Sequence, residues 1–398
     1  MGNAELQQTF LSLVRLGIGT SKDVMMPDAI DWTAIKALSD EQGLTAVVLD
    51  GVNCLNSLSS LNSSKGLSSS KGLNSLSSLS NSAIQGPPRI EKLQWIGEVD
   101  FSYERYYATY KDAISSLAGF YNRHGFKMMV LKGYACSLDW PNPNHRPCGD
   151  IDIWLFGRQK EADAVLEEWF KSSSGSTCSP SVQEFKIDSS HHHHTVFDWH
   201  GFAVENHYDF INVHHHRSHA KLEKILKELG KDDSHFVDVN GERVYLPSPN
   251  LHALFLLKHA ALHFVSTELT FRQVLDWAFF VEKHGKEVDW EWLLPVIEEH
   301  GMTPFLNIIN AICVEELGFD KTLFPTMQCD PSVKDRVIDE VFASVYEDDE
   351  PGNVFMRQIS RFRRWKGNAW KHELCYKESM WSAFWSGVWG HLLKPKSI

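Results

Sequence analysis

Residues Met128-Met129-Val130-Leu131-Lys132-Gly133, followed by Arg146-Pro147-Cys148-Gly149-Asp150-Ile151-Asp152-Ile153-Trp154-Leu155, constrain this chain more than any other stretch. They read as two strands, the first ending in a glycine turn and the second carrying two carboxylates. Side chains alternate across a strand, so Asp150, Asp152 and Trp154 share one face while Ile151, Ile153 and Leu155 point into a core. Two aspartates on one rigid face repel unless a positive charge lies between them. A hard divalent cation with a preference for oxygen meets that need. A carboxylate pair next to a glycine turn, where backbone can approach a phosphate, suits metal-assisted phosphoryl transfer. A solvated edge strand can also show a D-x-D. Here the upstream strand-glycine turn, the basic Arg146 and a further downstream acid favour the metal reading.

The run Val130-Leu131-Lys132-Gly133, the helix-like Tyr134-Ala135-Cys136-Ser137-Leu138, and His145-Arg146-Pro147 leading into Asp150-Ile151-Asp152 resemble the uncharacterised nucleotidyltransferase family of the DNA polymerase beta-like superfamily. In that superfamily a Gly-Ser turn and a D-x-D strand are followed by a third acid on a later strand, and the three acids hold two divalent metals on a nucleoside triphosphate. Lys132-Gly133-Tyr134 stands where many relatives have Gly-Ser, and the Lys-Gly form is the one the named family shows. The resemblance covers roughly residues 91–300. It implies an α+β fold: a small mixed sheet flanked by helices as a polymerase-beta-like core, with N- and C-terminal helical domains.

The third acid is sought in Gly201-Phe202-Ala203-Val204-Glu205-Asn206-His207-Tyr208-Asp209-Phe210, which reads as a strand by alternation and aromatic content. Glu205, His207 and Asp209 share a face, but residues 205 and 209 lie about 13 Å apart at roughly 3.3 Å per residue, so only one completes a triad. Glu205 matches the family's third-acid position, Asp209 is the reserve, and Asp198 sits near a hairpin end. On this resemblance Asp150, Asp152 and Glu205 hold two magnesium or manganese ions, and Glu205 also acts as a base toward the acceptor hydroxyl. Lys132 and Arg146 are the candidate phosphate cations, Gly133 lets the main chain approach, and His207 is expected to touch substrate. Neutralising Asp150 or Asp152 is expected to leave the melting temperature unchanged or raised by relieving repulsion.

Twenty histidines is a high count, and two runs stand out, His191 to His194 and His214 to His216. Flanked by Phe185-Lys186-Ile187 and Thr195-Val196-Phe197, the first reads as a hairpin beside the catalytic sheet, with His192 and His194 on one face and His191 and His193 on the other. Imidazoles suit zinc or nickel, but no neighbouring cysteine or carboxylate spacing outlines a closed structural zinc site. A polar strand end, with one or two histidines lining the nucleotide cleft, is the expectation.

At 398 residues the chain is long enough for two or three domains. We expect an N-terminal helical region over residues 1–90, a catalytic core over 91–247 and a C-terminal helical domain over 248–398. No apolar run reaches membrane-span length, and the seven scattered cysteines fit free thiols in a reducing cytoplasm, the expected location. The net charge of −12 disfavours a nucleic-acid acceptor.

Residues 4–16 and 31–43 read as amphipathic helices. From about residue 55 to 86 the composition collapses to Ser, Leu, Asn, Gly and Lys, with a near-repeat at Ser64-Lys65-Gly66-Leu67 and Ser70-Lys71-Gly72-Leu73, and a surface insertion is expected. Helical spacing runs from Glu91 to His124, from Glu161 to Phe170, and from Ala220 to Leu229 with Gly230 as a stop. Phe236 to Leu246 around Asn240-Gly241 reads as a hairpin. After Ser248-Pro249-Asn250 the chain is helical, with His252, His259 and His263 on one stripe and an Arg272–Asp276 i, i+4 pair on the next helix. Trp381, Trp385 and Trp389 form an aromatic ridge before Lys394 and Lys396, expected to dock on the body of the protein.

The expected function is transfer of a nucleoside monophosphate from a nucleoside triphosphate to a hydroxyl on a small molecule or protein, releasing pyrophosphate. The alternatives on the same fold are a nucleotide-binding pseudoenzyme and a toxin-like modifier of RNA or protein.

Overall fold

The computed structural model describes residues 2–21, 26–65, 86–174, 185–191, 193–213, 218–266, 269–343, 363 and 366–382. Three helices come first, α1 (Asn3–Ile18), α2 (Trp32–Glu41) and α3 (Thr45–Lys65). Asp31 starts α2 by accepting a hydrogen bond from the Ala34 amide at 3.0 Å. Helix α3 runs into the low-complexity stretch as far as Lys65, further than the composition suggested, and residues 66–85 lie outside the described residues. The long helical pattern from Glu91 forms α4 (Arg89–Val99), a π-helical turn at Asp100–Arg105, and α5 (Tyr106–Arg123).

The core follows as β1 (Met129–Val130), the short α6 (Tyr134–Ser137), β2 (Ile151–Trp154), α7 (Gln159–Ser174), β3 (His194–Trp199), β4 (Phe202–His207), α8 (His219–Leu229), β5 (Phe236–Val239) and β6 (Glu242–Tyr245). The six strands lie in the order β3-β4-β2-β1-β6-β5. Pairs β2–β4 and β1–β6 are parallel and the rest antiparallel, so the sheet is mixed, as the α+β expectation required. Asn240 and Gly241, with φ of 52° and 89°, make the tight β5–β6 turn. Phe185-Lys186-Ile187 forms no strand; the adjacent Asp188 makes a single bridge to Val196.

Among the described residues the helices that follow include α9 (Pro249–Ser266), α10 (Phe271–His284), α11 (Trp290–Glu299), α12 (Thr303–Glu315), α13 (Pro331–Phe342) and α14 (Ala369–Cys375). Phe10 of α1 packs on Phe271 of α10 and Phe342 of α13, so the N- and C-terminal helices share one core. His214 to His216, Trp385, Trp389, Lys394 and Lys396 lie outside the described residues, and Trp381 is exposed.

Pleat alternation gives the two sheet faces different partners. Val130, Ile151, Ile153, Val204 and Val244 pack with α5 and α7 in one cluster. Met129, Leu131, Trp154 and Tyr245 face the other cluster, where Trp154 stacks near Phe210 at 4.4 Å and Phe210 meets Phe255 of α9. Asp152, Glu205 and His207 alternate onto this second face, beneath the helical region.

Of the glycines held by close approach, two stand near the acidic strands. Gly230 ends α8 in a right-handed conformation rather than the left-handed one common at helix ends. A Cβ there would lie 2.7 Å from the Phe210 ring. Gly133 carries φ 47° and ψ −99°, and a Cβ on it would lie 2.4 Å from the Tyr110 hydroxyl, which donates to the Asp150 carbonyl at 2.9 Å. Gly133→Ala is therefore expected to destabilise the protein by about 2–4 kcal/mol, with partial recovery in Gly133→Ala/Tyr110→Phe, read by denaturant unfolding.

Helix α9 also buries Lys258, whose Nζ sits 4.0 Å from the centre of the Tyr376 ring. Burial lowers its pKa to about 7, against weaker support from Cys375 and Glu378. Between that value and its ordinary one the unfolded chain binds a proton that the folded chain does not, so stability rises with pH across this window and the full penalty applies below it. Lys258→Met should stabilise the protein by about 2–4 kcal/mol at neutral or lower pH, and should flatten the alkaline rise in melting temperature. Identical pH profiles for both proteins would refute this.

Candidate active site

The parallel pairing of β2 with β4 sets Asp152 directly beside Glu205 and Trp154 beside His207. On the far side of β4, His194 of β3 pairs with His207. One sheet face thus carries Asp152, Glu205, His207 and His194 in adjoining rungs. Two carboxylates in adjacent positions of a parallel ladder repel, and the compensation is local. Lys132 Nζ lies 2.8 Å from Asp152 Oδ1, and His207 Nε2 donates to the same oxygen at 2.9 Å and lies 3.5 Å from Glu205 Oε2.

The His207 tautomer follows from its other nitrogen. Nδ1 lies 3.3 Å from the Asp209 carbonyl oxygen, which only accepts, so Nδ1 carries a hydrogen. Its Nε2, facing two carboxylates, carries one as well. Burial alone would lower the His207 pKa, but hydrogen bonds to Asp152 and Glu205 raise it to about 9. Burial would raise the Asp152 carboxyl, yet Lys132 and His207 outweigh it and hold the group far below the usual carboxylate range. Glu205 is likewise lowered, its burial outweighed mainly by His207. Burial works against the Lys132 charge, while Asp152 and Asp150 sustain it and leave the pKa raised.

Asp150 stands one rung away at the solvent-open rim. There partial desolvation, then the Asp152 charge, push its carboxyl upward. Ligand atoms of Asp152, Glu205 and His207 all lie within 4.8 Å of one another; Asp150 is not in that group. Asp209 turns to Lys227 of α8, and Asp198 accepts from the Gly201 amide at 3.2 Å in the hairpin turn. Because Asp152 already has two cationic partners, the expected relief of repulsion does not apply to it. Its neutralisation would leave Lys132 and His207 unpaired, and relief of repulsion belongs to Asp150 alone.

A cleft of about 730 Å³, counting its open mouth, lies between the sheet and the C-terminal helices. Lys132, Gly133, Asp150 and Asp152 form its floor, and His259, His263, Arg272 and Asp276 line it from α9 and α10. Arg146 borders it, but its guanidinium is committed: Nε and Nη2 donate to the two Asp276 oxygens at 2.7 Å each, and Trp140 Nε1 adds a third bond to Asp276 at 2.9 Å. This buried fork ties the loop before β2 to α10. The Arg272–Asp276 helix pair expected from spacing is accordingly not formed. Arg272 has no hydrogen bond or ion pair among the described residues, and burial and then the Arg146 charge lower its pKa.

The cleft thus has a cation without a direct ion-pair partner among the described residues, a residue that helical spacing had assigned to a local pair. His259 and His263 were legible as a stripe, without an indication that they cover Lys132. Burial, then Lys132, keep both neutral, with His263 at about 4. The remaining member of the stripe, His252, turns to Cys136 Sγ at 3.8 Å instead. Two carboxylates and an imidazole bring their ligand atoms within 4.8 Å of one another, a donor set that could hold a metal ion.

Comparison with known proteins bears on what such a face serves. No curated protein matches the chain. Among solved structures, an antigenic nucleotidyltransferase-like protein from Paracoccidioides brasiliensis is similar at 16% identity over 50% of this chain and 90% of that one, with a TM-score of 0.30. The sequence profile described as "Uncharacterised nucleotidyltransferase" matches residues 88–318. That span is more than half of the chain and contains every residue of the sheet face and cleft described above, so the chain belongs to the uncharacterised nucleotidyltransferase family.

Proposed function

We propose that this protein transfers a nucleoside monophosphate from a nucleoside triphosphate to a hydroxyl of a small molecule or protein. The acceptor oxygen attacks the α-phosphorus, the bond to the bridging β-phosphate oxygen breaks, and pyrophosphate leaves. The observation that carries this reading is the in-register placement of Asp152 beside Glu205, with Asp152 also lining a cleft that Lys132 and Arg272 border from separate elements. Asp152 and Glu205, with Asp150 at the rim, would hold magnesium or manganese, which supplies charge neutralisation on the phosphates and acidifies the acceptor hydroxyl when bound. Glu205, ionised at neutral pH, takes the acceptor proton. Lys132 and Arg272 bind the phosphates, and Gly133 brings backbone close to them. Arg146 acts at one remove by holding Asp276 and α10 in place. His259 and His263, neutral and on α9, line the nucleotide side of the cleft. The cytoplasm is the proposed location.

A second reading, nucleotide binding without turnover, is favoured by one observation. Lys132 and His207 already balance Asp152 and Glu205 without an added ion.

Pyrophosphate release from each nucleoside triphosphate, with magnesium or manganese, decides between them. Turnover should fall at least about a hundredfold in Asp152→Asn. The same variant should lose about 2–4 kcal/mol of stability through its two unpaired cations, whereas Asp150→Asn should lose activity at an unchanged or raised melting temperature. Metal-dependent nucleotide binding with no release from any triphosphate would establish the second reading, and wild-type turnover in both variants would refute the first.

Arg272→Met keeps the aliphatic contacts and removes the charge. The expected result is a KM for the triphosphate raised about tenfold or more with no loss of thermal stability. An unchanged KM would remove Arg272 from the phosphate site.

A further inference from the structure

The histidine run and the catalytic face meet in a way that the proposed reaction does not use. His193 lies in the bend before β3 and His194 is its first residue, so strand alternation does not send their side chains to opposite faces. His193, His194 and His207 each offer a ring nitrogen, and the three atoms lie within 4.8 Å of one another. The rings pack with centroids at 4.3 Å for His193–His194, 5.6 Å for His193–His207 and 5.2 Å for His194–His207. The β3–β4 register places His194 opposite His207, and the His193 carbonyl accepts from the Tyr208 and Asp209 amides at 3.0 and 3.1 Å. The cluster is therefore held by backbone pairing on both sides.

What marks it as a site is unsatisfied polarity. His194 is only 5% exposed, yet neither of its ring nitrogens has a hydrogen-bond partner. His193 Nδ1 is also buried without one. Burying such groups unpaired costs about 1–3 kcal/mol each, and three occur together, facing a fourth imidazole nitrogen. The Glu205 carboxylate adds an oxygen 3.8 Å from His194 Nε2. In addition, the Nδ1 of His207 points at a backbone carbonyl, the outer partner that orients a ligating histidine and leaves its Nε2 facing inward.

We propose that His193, His194 and His207 bind one borderline divalent transition-metal ion of the zinc class. Three imidazoles with water in the fourth tetrahedral position match that class, whereas magnesium requires oxygen ligands. Binding replaces the Nε2 proton of His207, which leaves to solvent. The site does not require the nucleotidyl-transfer reading, although it shares His207 with the carboxylate row. It fastens the edge strand β3 to that row.

The test is a titration of the full chain with Co²⁺ in excess Mg²⁺ and without nucleotide, followed by visible absorption. One equivalent should bind with the intense bands of four-coordinate cobalt, resist magnesium and yield to Zn²⁺. With magnesium already in excess, added zinc should raise the wild-type melting temperature further. His193→Ala and His194→Gln should each weaken binding by more than the roughly 10–100-fold that an outer partner commands. The exposed His191, although it stacks on His194, should be dispensable, so His191→Ala keeps the site. Asp150→Asn should also keep it while losing pyrophosphate release, which separates failure of this site from failure of the enzymatic reading. The proposal is overturned by no stoichiometric uptake, by the weak bands of six-coordinate cobalt, by wild-type affinity in both cluster variants, or by loss of binding in His191→Ala, which would assign the ion to the exposed run. Should the cluster variants not fold, the wild-type stoichiometry, band intensity and zinc-specific thermal shift still decide the outcome.

Discussion

The parallel ladder between β2 and β4 is the constraint from which the site follows. It places two carboxylates in neighbouring rungs under a buried face, and two cations answer that placement. Lys132 reaches Asp152 from the turn after β1, and His207 reaches both acids from two residues along β4. At Cβ separations set by strand spacing, the like-charge penalty grows as the effective dielectric falls, so a buried pair needs full compensation where an exposed pair would not. The result is a neutral quartet made of two acids and two cations. The carboxyl at 150, one rung out and open to solvent, has no such partner of its own and shifts in the opposite direction from Asp152.

Alternation alone was enough to put Asp150, Asp152 and Trp154 on one face and Ile151 and Ile153 on the other, because a period of two is a local property of the strand. The same holds for Glu205 and His207, for the Asn240-Gly241 turn, and for α9 after Ser248-Pro249. The family pattern supplied the pairing of the two acidic strands, which periodicity cannot supply. What escaped was long-range. Arg146 and Asp276 are 130 positions apart, and helical spacing offered Asp276 the nearer Arg272 instead. A bidentate fork with a buried carboxylate is worth more than an exposed i, i+4 pair, so the distant partner prevails. Gly230 was read as a helix stop, while its necessity comes from the Phe210 ring. Its value depends on a contact that no local window contains.

The helical region's contribution to the cleft has the same logic. The overall charge of −12 argues against attraction of polyanions at a distance, yet the cleft concentrates Lys132 and Arg272 on a short stretch of surface. Over a few ångströms in a partly desolvated cleft, local charges outweigh a net charge spread over the whole surface, which salt screens beyond roughly 8–10 Å. On the proposed function, a compact triphosphate would meet these local cations. A long nucleic-acid acceptor would meet the acidic remainder.

His207 is where the two sets of ligating atoms on this face meet. With its Nε2 proton in place it is a cation, and it ties Asp152 to Glu205. Without that proton it presents a lone pair to the same space, alongside two imidazoles from the other side of the hairpin. The two states cannot coexist on one ring. A cation in the histidine cluster would therefore remove a positive charge from the carboxylate row while supplying another nearby. The row's demand for compensation would pass to Lys132 and to whatever ion the acids hold. Through a single shared ring, the affinity of the carboxylate row for cations is set in part by what occupies the edge strand beside it, a coupling that is reciprocal by thermodynamic necessity.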